Sequence, residues 1–183
     1  MPNYRRNYVP GGTYFFTLVT QDRRPILTTP LARRCLRDAL ELERSKAPFT
    51  LDAIVLLPDH LHAIWTLPEG DADYSIRWKR IKEQFTRLFL AGGGTEGKLT
   101  ANRSNHDERA VWQPRFWEHT VKDEVDFENC FDYLHNNPVK HGLVDRVVAY
   151  PWSTFHRYVK AGHYAADWGC GPEMTDVRGA EWD

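Results

Sequence analysis

Residues 13 to 121 predict an α+β domain whose elements follow the order βαββαβ, with one more helix after the last strand. Three observations carry this. Short β-branched and aromatic runs occur four times, in "GGTYFFTLVTQ", "FTLDAIVLL", "HLHAIWTL" and "VWQPRFWEHTV". Two long segments between them place apolar residues at helical spacing. The segment "DEVDFENCFDYLHNN" repeats that spacing directly before a proline.

Each element has its own signal. Gly11 and Gly12 separate a basic N-terminal arm from the first strand. "TPLARRCLRDALELERSKAP" reads as a helix with Pro30 near its start and a stop before Pro48. Only the punctuator "PDH" divides the second strand from the third, so the two should pair. "DADYSIRWKRIKEQFTRLFL" predicts an amphipathic helix with Ile76, Ile81, Phe85 and Leu88 inward and a basic outer face. Residues 91–110 are rich in Gly and Asn, lack periodicity and read as a mobile connection. With "VWQPRFWEHTV" as the fourth strand, the order is that of a ferredoxin-like sheet with helices on one face.

The last long helix is expected to stop at Asn137, because the residue before Pro138 is pushed out of the α region. At about 100° per residue, Phe127, Cys130, Phe131 and Leu134 form its apolar stripe. Tyr133 and Asn137 sit together at the edge of that stripe, one turn apart.

The 183 residues suit one domain of ordinary size, taken as 1–160, followed by a tail from 161 to 183. A hydrophobic fraction of 42% with 27% charged residues excludes a wholly disordered chain. No apolar run reaches the roughly 18 residues of a membrane helix, and the N-terminus lacks the apolar block of a signal peptide, so a cytoplasmic protein is expected. Cys35, Cys130 and Cys170 are odd in number and form no C-x-x-C pair. That argues against disulfides or a thiolate zinc site, and all three read as incidental. A net charge of −1 conceals segregation. Residues 1–50 hold nine Lys/Arg against four Asp/Glu, whereas 118–132 hold six acids against one lysine, so a polyanion can still be bound locally.

The chemistry starts in "LLPDHLHAIWTL". On a strand His60 and His62 project to one side, with Cβ atoms roughly 6.5–7 Å apart, while Leu61, Ala63, Trp65 and Leu67 project to the other. A paired H-x-H is as often a hydrogen-bonded core feature as a ligand set, and a tyrosine at a stripe's edge is more often packing. Together they suggest more: two imidazoles and an amide oxygen can bind a divalent cation beside a phenol placed to attack.

The sequence resembles the HUH single-tyrosine transposases, in their REP-associated branch. The matching pieces are "YRRNYVPGGTYFFTLVTQ", "LLPDHLHAIWTLP", "WQPRFWEHTV", "YLHNNPVKHGLV" and "YPWSTFHRY", in family order across roughly residues 4 to 158. The resemblance implies that His60 and His62 are the paired histidines, Tyr133 the nucleophile and Asn137 the third ligand of a divalent metal, Mg²⁺ or Mn²⁺. It implies cleavage and rejoining of single-stranded DNA through a 5′-phosphotyrosine, at a REP-type hairpin flanked on its 5′ side by a tetranucleotide. His141 departs from the small residue expected before "GLV".

Candidate DNA contacts are Arg5 and Arg6 in the arm and Arg77, Lys79, Arg80, Lys82 and Arg87 on the basic helix, with Trp78 beside them. Such groups can track phosphates and stack on bases, although a solvated helix face looks the same. His135 lies nearly opposite Tyr133 on the helix and gets no role, and His119 reads as bland. The rival readings are another HUH nuclease, such as a relaxase or replication initiator, and a non-catalytic RNA-binding module with Tyr14 and Phe16 as stacking aromatics. A monomer with a site assembled in cis is favoured over a homodimer.

Overall fold

A computed structural model describes residues 6–98 and 109–169. Its elements are β1 (Thr13–Val19), α1 (Pro30–Lys46), β2 (Thr50–Leu56), β3 (His60–Thr66), α2 (Tyr74–Ala91), β4 (Trp117–Thr120), α3 (Glu124–Lys140) and α4 (Phe155–Lys160). The sheet order is β2-β3-β1-β4 with every pairing antiparallel. β1 is thereby held between β3 and β4, the interleaving that a βαββαβ order produces in a ferredoxin-like sheet.

Alternation along the strands divides the core in two. Tyr14, Phe16 and Leu18 of β1 and Leu61, Ala63 and Trp65 of β3 pack under α1 and α2. Phe15, Ala53, Val55 and Ile64 point the other way, against Cys130, Tyr133 and Leu134 of α3. Tyr14 and Phe16 are fully buried, which removes the stacking surface that an RNA-binding sheet would offer. Thr29 caps α1 by accepting a hydrogen bond from the Ala32 amide, and Pro30 occupies the first turn, where its missing N–H costs nothing.

The structure departs from the sequence expectations in three places. In α2 the buried stripe is Tyr74, Trp78, Ile81, Phe85 and Phe89, while Ile76 is 44% exposed. Arg77 turns inward instead of joining the basic face. Its guanidinium donates to the Asp71 carboxylate at 2.6 and 3.0 Å and to the carbonyls of Ala47, Pro48 and Asp73 at 3.1 Å. A cation with all its donors satisfied is tolerated inside, and polarity patterning alone does not show it. Arg77→Met, which keeps the stem but removes the donors, is expected to cost about 1–3 kcal/mol. Urea unfolding should show a lower midpoint at unchanged slope.

The second departure is the end of α3. Pro138 lies inside the helix, forfeiting its own bond to the Leu134 carbonyl, and the helix runs on to Lys140. The stop is supplied by Gly142 at φ 64°, whose N–H donates to Val139 O while Leu143 N–H donates to Pro138 O, both at 2.9 Å. This is the paired closure of a Schellman motif, for which glycine tolerates the left-handed backbone. The third is β4, which is shorter than the run at 111–121. Pro114 interrupts it, leaving Trp112 as an isolated bridge partner of Thr20.

Of the connection at 91–110, residues 99–108 fall outside the described residues, so the mobility expected there is not addressed. Past α4 the chain through residue 169 lies back on α3. Tyr164 stacks on Phe131 and donates to Asp132, and Trp168 packs on Tyr164 and Phe155. Among the described residues, no helix is long and apolar enough to cross a membrane.

Candidate active site

The H-x-H pair lies in β3 with both imidazoles on the α3 side of the sheet, and both side chains are buried. Their ring centroids are 5.1 Å apart. Each ring is fixed through Nδ1. His60 Nδ1 donates to Asp59 Oδ1 at 2.7 Å, and His62 Nδ1 shares a 2.9 Å hydrogen bond with Thr17 Oγ1 from the adjacent β1. A neutral imidazole that donates through Nδ1 keeps its lone pair on Nε2. Burial works against ionisation of Asp59, but hydrogen bonds from His60 and Arg23 outweigh it and hold the carboxyl below its usual range. Burial, followed by the nearby charges of His60, His141 and Lys140, pushes the His62 imidazole well below its ordinary value, so it stays neutral.

α3 brings Tyr133 and Asn137 over these rings. The Tyr133 ring lies 5.5 Å from that of His62 and 5.8 Å from that of Phe15, packed edge-on to both. Asn137 is 1% exposed. Both amide atoms of Asn137 and Nε2 of His62 are buried without a hydrogen bond of ordinary geometry, although Asn137 is near enough to favour a protonated His62 slightly. Buried polar atoms are almost always partnered. Two neutral side chains offering an imidazole nitrogen and an amide oxygen, with His60 adjoining, fit a divalent cation with intermediate to hard ligand preference, such as Mn²⁺ or Mg²⁺.

The structure therefore gathers His60, His62, Tyr133 and Asn137 from two elements. It adds four residues that sequence reasoning missed. Thr17 and Asp59 set the imidazole orientations. Lys140 places Nζ 5.0 Å from the centroid of the Tyr133 ring, and the His141 ring lies 5.0 Å from that of His60. Lys140 and His141 reach the site because α3 continues past Asn137. His135 faces elsewhere, fully buried beside Thr154 Oγ1, and burial pulls its pKa down to about 3.

Over 182 residues the chain is 43% identical to the REP-associated tyrosine transposase of Escherichia coli (strain K12), covering 99% of this chain and 98% of that one. This chain belongs to the REP-associated tyrosine transposase family. A Haemophilus influenzae protein named in the same family is 44% identical over 174 residues, covering 95% of this chain and 97% of its own. The solved structure of a REP-associated tyrosine transposase bound to a REP hairpin superposes with a TM-score of 0.76 at 44% identity, over 92% of this chain and 91% of that one. No established family profile matches the sequence. As a transposase, the chain is an enzyme that acts on DNA.

The described residues expected to meet DNA lie on the other face of the transposase sheet from the histidine pair. Arg6, Lys79, Lys82, Arg87, Trp112 and Phe116 help to line a cleft of about 810 Å³ between α2 and the segment before β4. Several of these cations already have partners. Arg6 Nη1 meets the buried Glu118 at 2.5 Å, and its guanidinium lies 3.9 Å over Phe116. Lys82 donates to the carbonyls of Gln113 and Pro114. Arg80 reaches Glu43 at 3.4 Å, Arg87 bonds Gln84, and Lys79 pairs loosely with Glu83 at 3.9 Å. Arg77 is buried, as described, and Trp78 belongs to the core. Arg5 lies outside the described residues.

Proposed function

We propose that this transposase cleaves and rejoins single-stranded DNA at a REP-type hairpin with a 5′ flanking tetranucleotide, through a 5′-phosphotyrosine on Tyr133. The observation that carries the reading is that Nε2 of a neutral His62 and the Asn137 amide are buried without a hydrogen bond of ordinary geometry, with the Tyr133 ring 5.5 Å from that of His62. A relative solved with a REP hairpin supports the substrate.

Tyr133 Oη attacks phosphorus, the bond from phosphorus to the 3′-oxygen breaks, the phenol loses its proton, and the departing oxygen gains one. One phosphodiester replaces another, so rejoining requires no ATP. His60, His62 and Asn137 would hold a divalent ion, which when bound would supply charge neutralisation and polarisation at the phosphate. Asp59 and Thr17 keep both Nε2 atoms aimed correctly. The Lys140 ammonium, above the Tyr133 ring, favours the negative charge that develops on the phenol in the transition state. A monomer with its site assembled in cis belongs to this reading. A DNA substrate also fits the cytoplasmic location expected from the sequence.

Wild-type protein incubated with an end-labelled single-stranded REP oligonucleotide and Mn²⁺ should give a covalent protein–DNA band on a denaturing gel. Its absence with both Mn²⁺ and Mg²⁺ would sink the reading. Lys140→Met is expected to slow cleavage about tenfold, equivalent to about 1.4 kcal/mol. Lys140→Arg should restore most of the rate, and hairpin affinity should change little in either variant. Equal rates for Met, Arg and Lys would remove Lys140 from the chemistry.

A further inference from the structure

We infer that His119, Asp126 and Cys130 form a second metal site, for one thiophilic divalent ion such as Zn²⁺, separate from the donors beneath Tyr133. His119 comes from β4 and the other two from successive turns at the start of α3. Their donor atoms all lie within 4.8 Å of one another. His119 Nε2 is 2.8 Å from Asp126 Oδ2, and Cys130 Sγ is 4.0 Å from Asp126 Oδ1.

Around a tetrahedral zinc, bond lengths of about 2.0–2.3 Å put neighbouring donors roughly 3.3–3.6 Å apart. Through Asp126 Oδ1, which lies 3.0 Å from His119 Nε2 and 4.0 Å from Cys130 Sγ, the nitrogen–oxygen pair opens and the sulfur–oxygen pair closes by up to about half an ångström, and the nitrogen–sulfur pair, within 4.8 Å, closes by up to about an ångström, movements that side-chain torsions absorb. Charge also balances. A carboxylate and a thiolate neutralise M²⁺, the neutral imidazole adds a third bond, and water completes four. The Lys122 amide donates to Asp126 Oδ2 at 2.9 Å, the kind of outer partner that orients a ligating carboxylate.

A simple ion pair between His119 and Asp126 would close the β4–α3 turn without any metal, but it has no need of a sulfur aimed at the same carboxylate. The partly exposed side chains of His119 and Asp126, at 15% and 24%, leave a way in for an ion, while Cys130 is buried beneath them. Burial pushes the Cys130 thiol up to about 12, so without metal it stays protonated and inert. On binding, the S–H proton goes to solvent, the Nε2 proton that His119 shares with Asp126 is replaced by one on Nδ1 through exchange with solvent, and metal–sulfur and metal–nitrogen bonds form, with no change of oxidation state. The ligands are spaced H-x₆-D-x₃-C, which resembles no thiolate zinc pattern, and that is why Cys130 reads as incidental in the sequence. An ion here would clip the nucleophile-bearing helix to the edge of the sheet, one turn before Tyr133.

The test is a Co²⁺ titration of the full chain under reducing conditions. Wild type should show a near-ultraviolet thiolate-to-Co²⁺ charge-transfer band that one equivalent of Zn²⁺ removes. The band should be lost in Cys130→Ser, weakened at least tenfold in apparent affinity in His119→Gln, and retained in His62→Ala. Folding of each variant is followed by circular dichroism, and if Cys130→Ser does not fold, His119→Gln makes the comparison. No charge-transfer band in folded wild type, or an undiminished band in Cys130→Ser, overturns the proposal.

Discussion

Tyr133→Phe is expected to abolish strand cleavage and the covalent adduct while hairpin binding persists. The ring is held edge-on by Phe15 and His62, and phenylalanine keeps both contacts. Only Oη is lost, so the stability change should stay below about 1.5 kcal/mol. Among the described residues, nothing else on this face of the sheet offers an equivalent nucleophile in the same place. His135 is turned away and neutral, and Cys130 is buried and protonated. A denaturing gel with labelled single-stranded hairpin DNA reads the adduct directly, and undiminished adduct in the variant would falsify the assignment. Binding measured in parallel separates a missing nucleophile from a missing substrate.

Loss of His62 should be nearly as severe, with cleavage falling about 100-fold or more in His62→Ala, since even outer partners of a metal ligand are worth about 10–100-fold. His60→Ala should follow it, and Asn137→Ala less steeply, because water can take the place of an amide oxygen. The signature of a ligand set is that activity and metal-free stability move in opposite directions. Asn137 buries an amide without partners, a cost that an apolar side chain of similar size does not carry. Asn137→Leu should therefore lose cleavage while its metal-free melting temperature holds or rises. Mn²⁺ titrations of cleavage, with thermal unfolding in chelator, check both halves. A set of variants with wild-type titration midpoints and rates would leave no role for these three residues as ligands.

Legibility in the sequence followed how local each cause is. The four strands show in alternation, and α1 shows at both ends because Thr29 and Pro30 start it and Pro48 follows it. The pairing of H-x-H with Y-x-x-x-N is also local to two short segments. The phase of α2 was hidden by Arg77, whose burial depends on carbonyls of Ala47 and Pro48 about thirty residues away. The end of α3 was misplaced because the rule about the residue before proline is a preference. The packing of Asn137 beneath the helix overrides it, and Gly142 carries the real stop. Thr17 could not be named as the partner of His62 without the register between β1 and β3. The same register places Tyr14 and Phe16 inside, which removes the stacking surface of the rival RNA-binding reading.

The aromatic stack on the α2 side has an optical consequence. Trp65 lies between Phe49 and Trp78, with ring centroids 4.0 Å from each, and the two indoles are tilted by only 20°. Transition dipoles that close couple as excitons, and where the two moments are skewed they give a split circular dichroism band whose amplitude falls steeply with separation. The couplet belongs to the packing of β3 against α2, on the far side of the sheet from Tyr133, His62 and Asn137. It should be unchanged in every substitution of those three residues that keeps the fold. Loss of fixed tertiary packing should erase it before the helical signal goes. The protein thus carries its own chromophore pair for telling a silenced site from a loosened sheet.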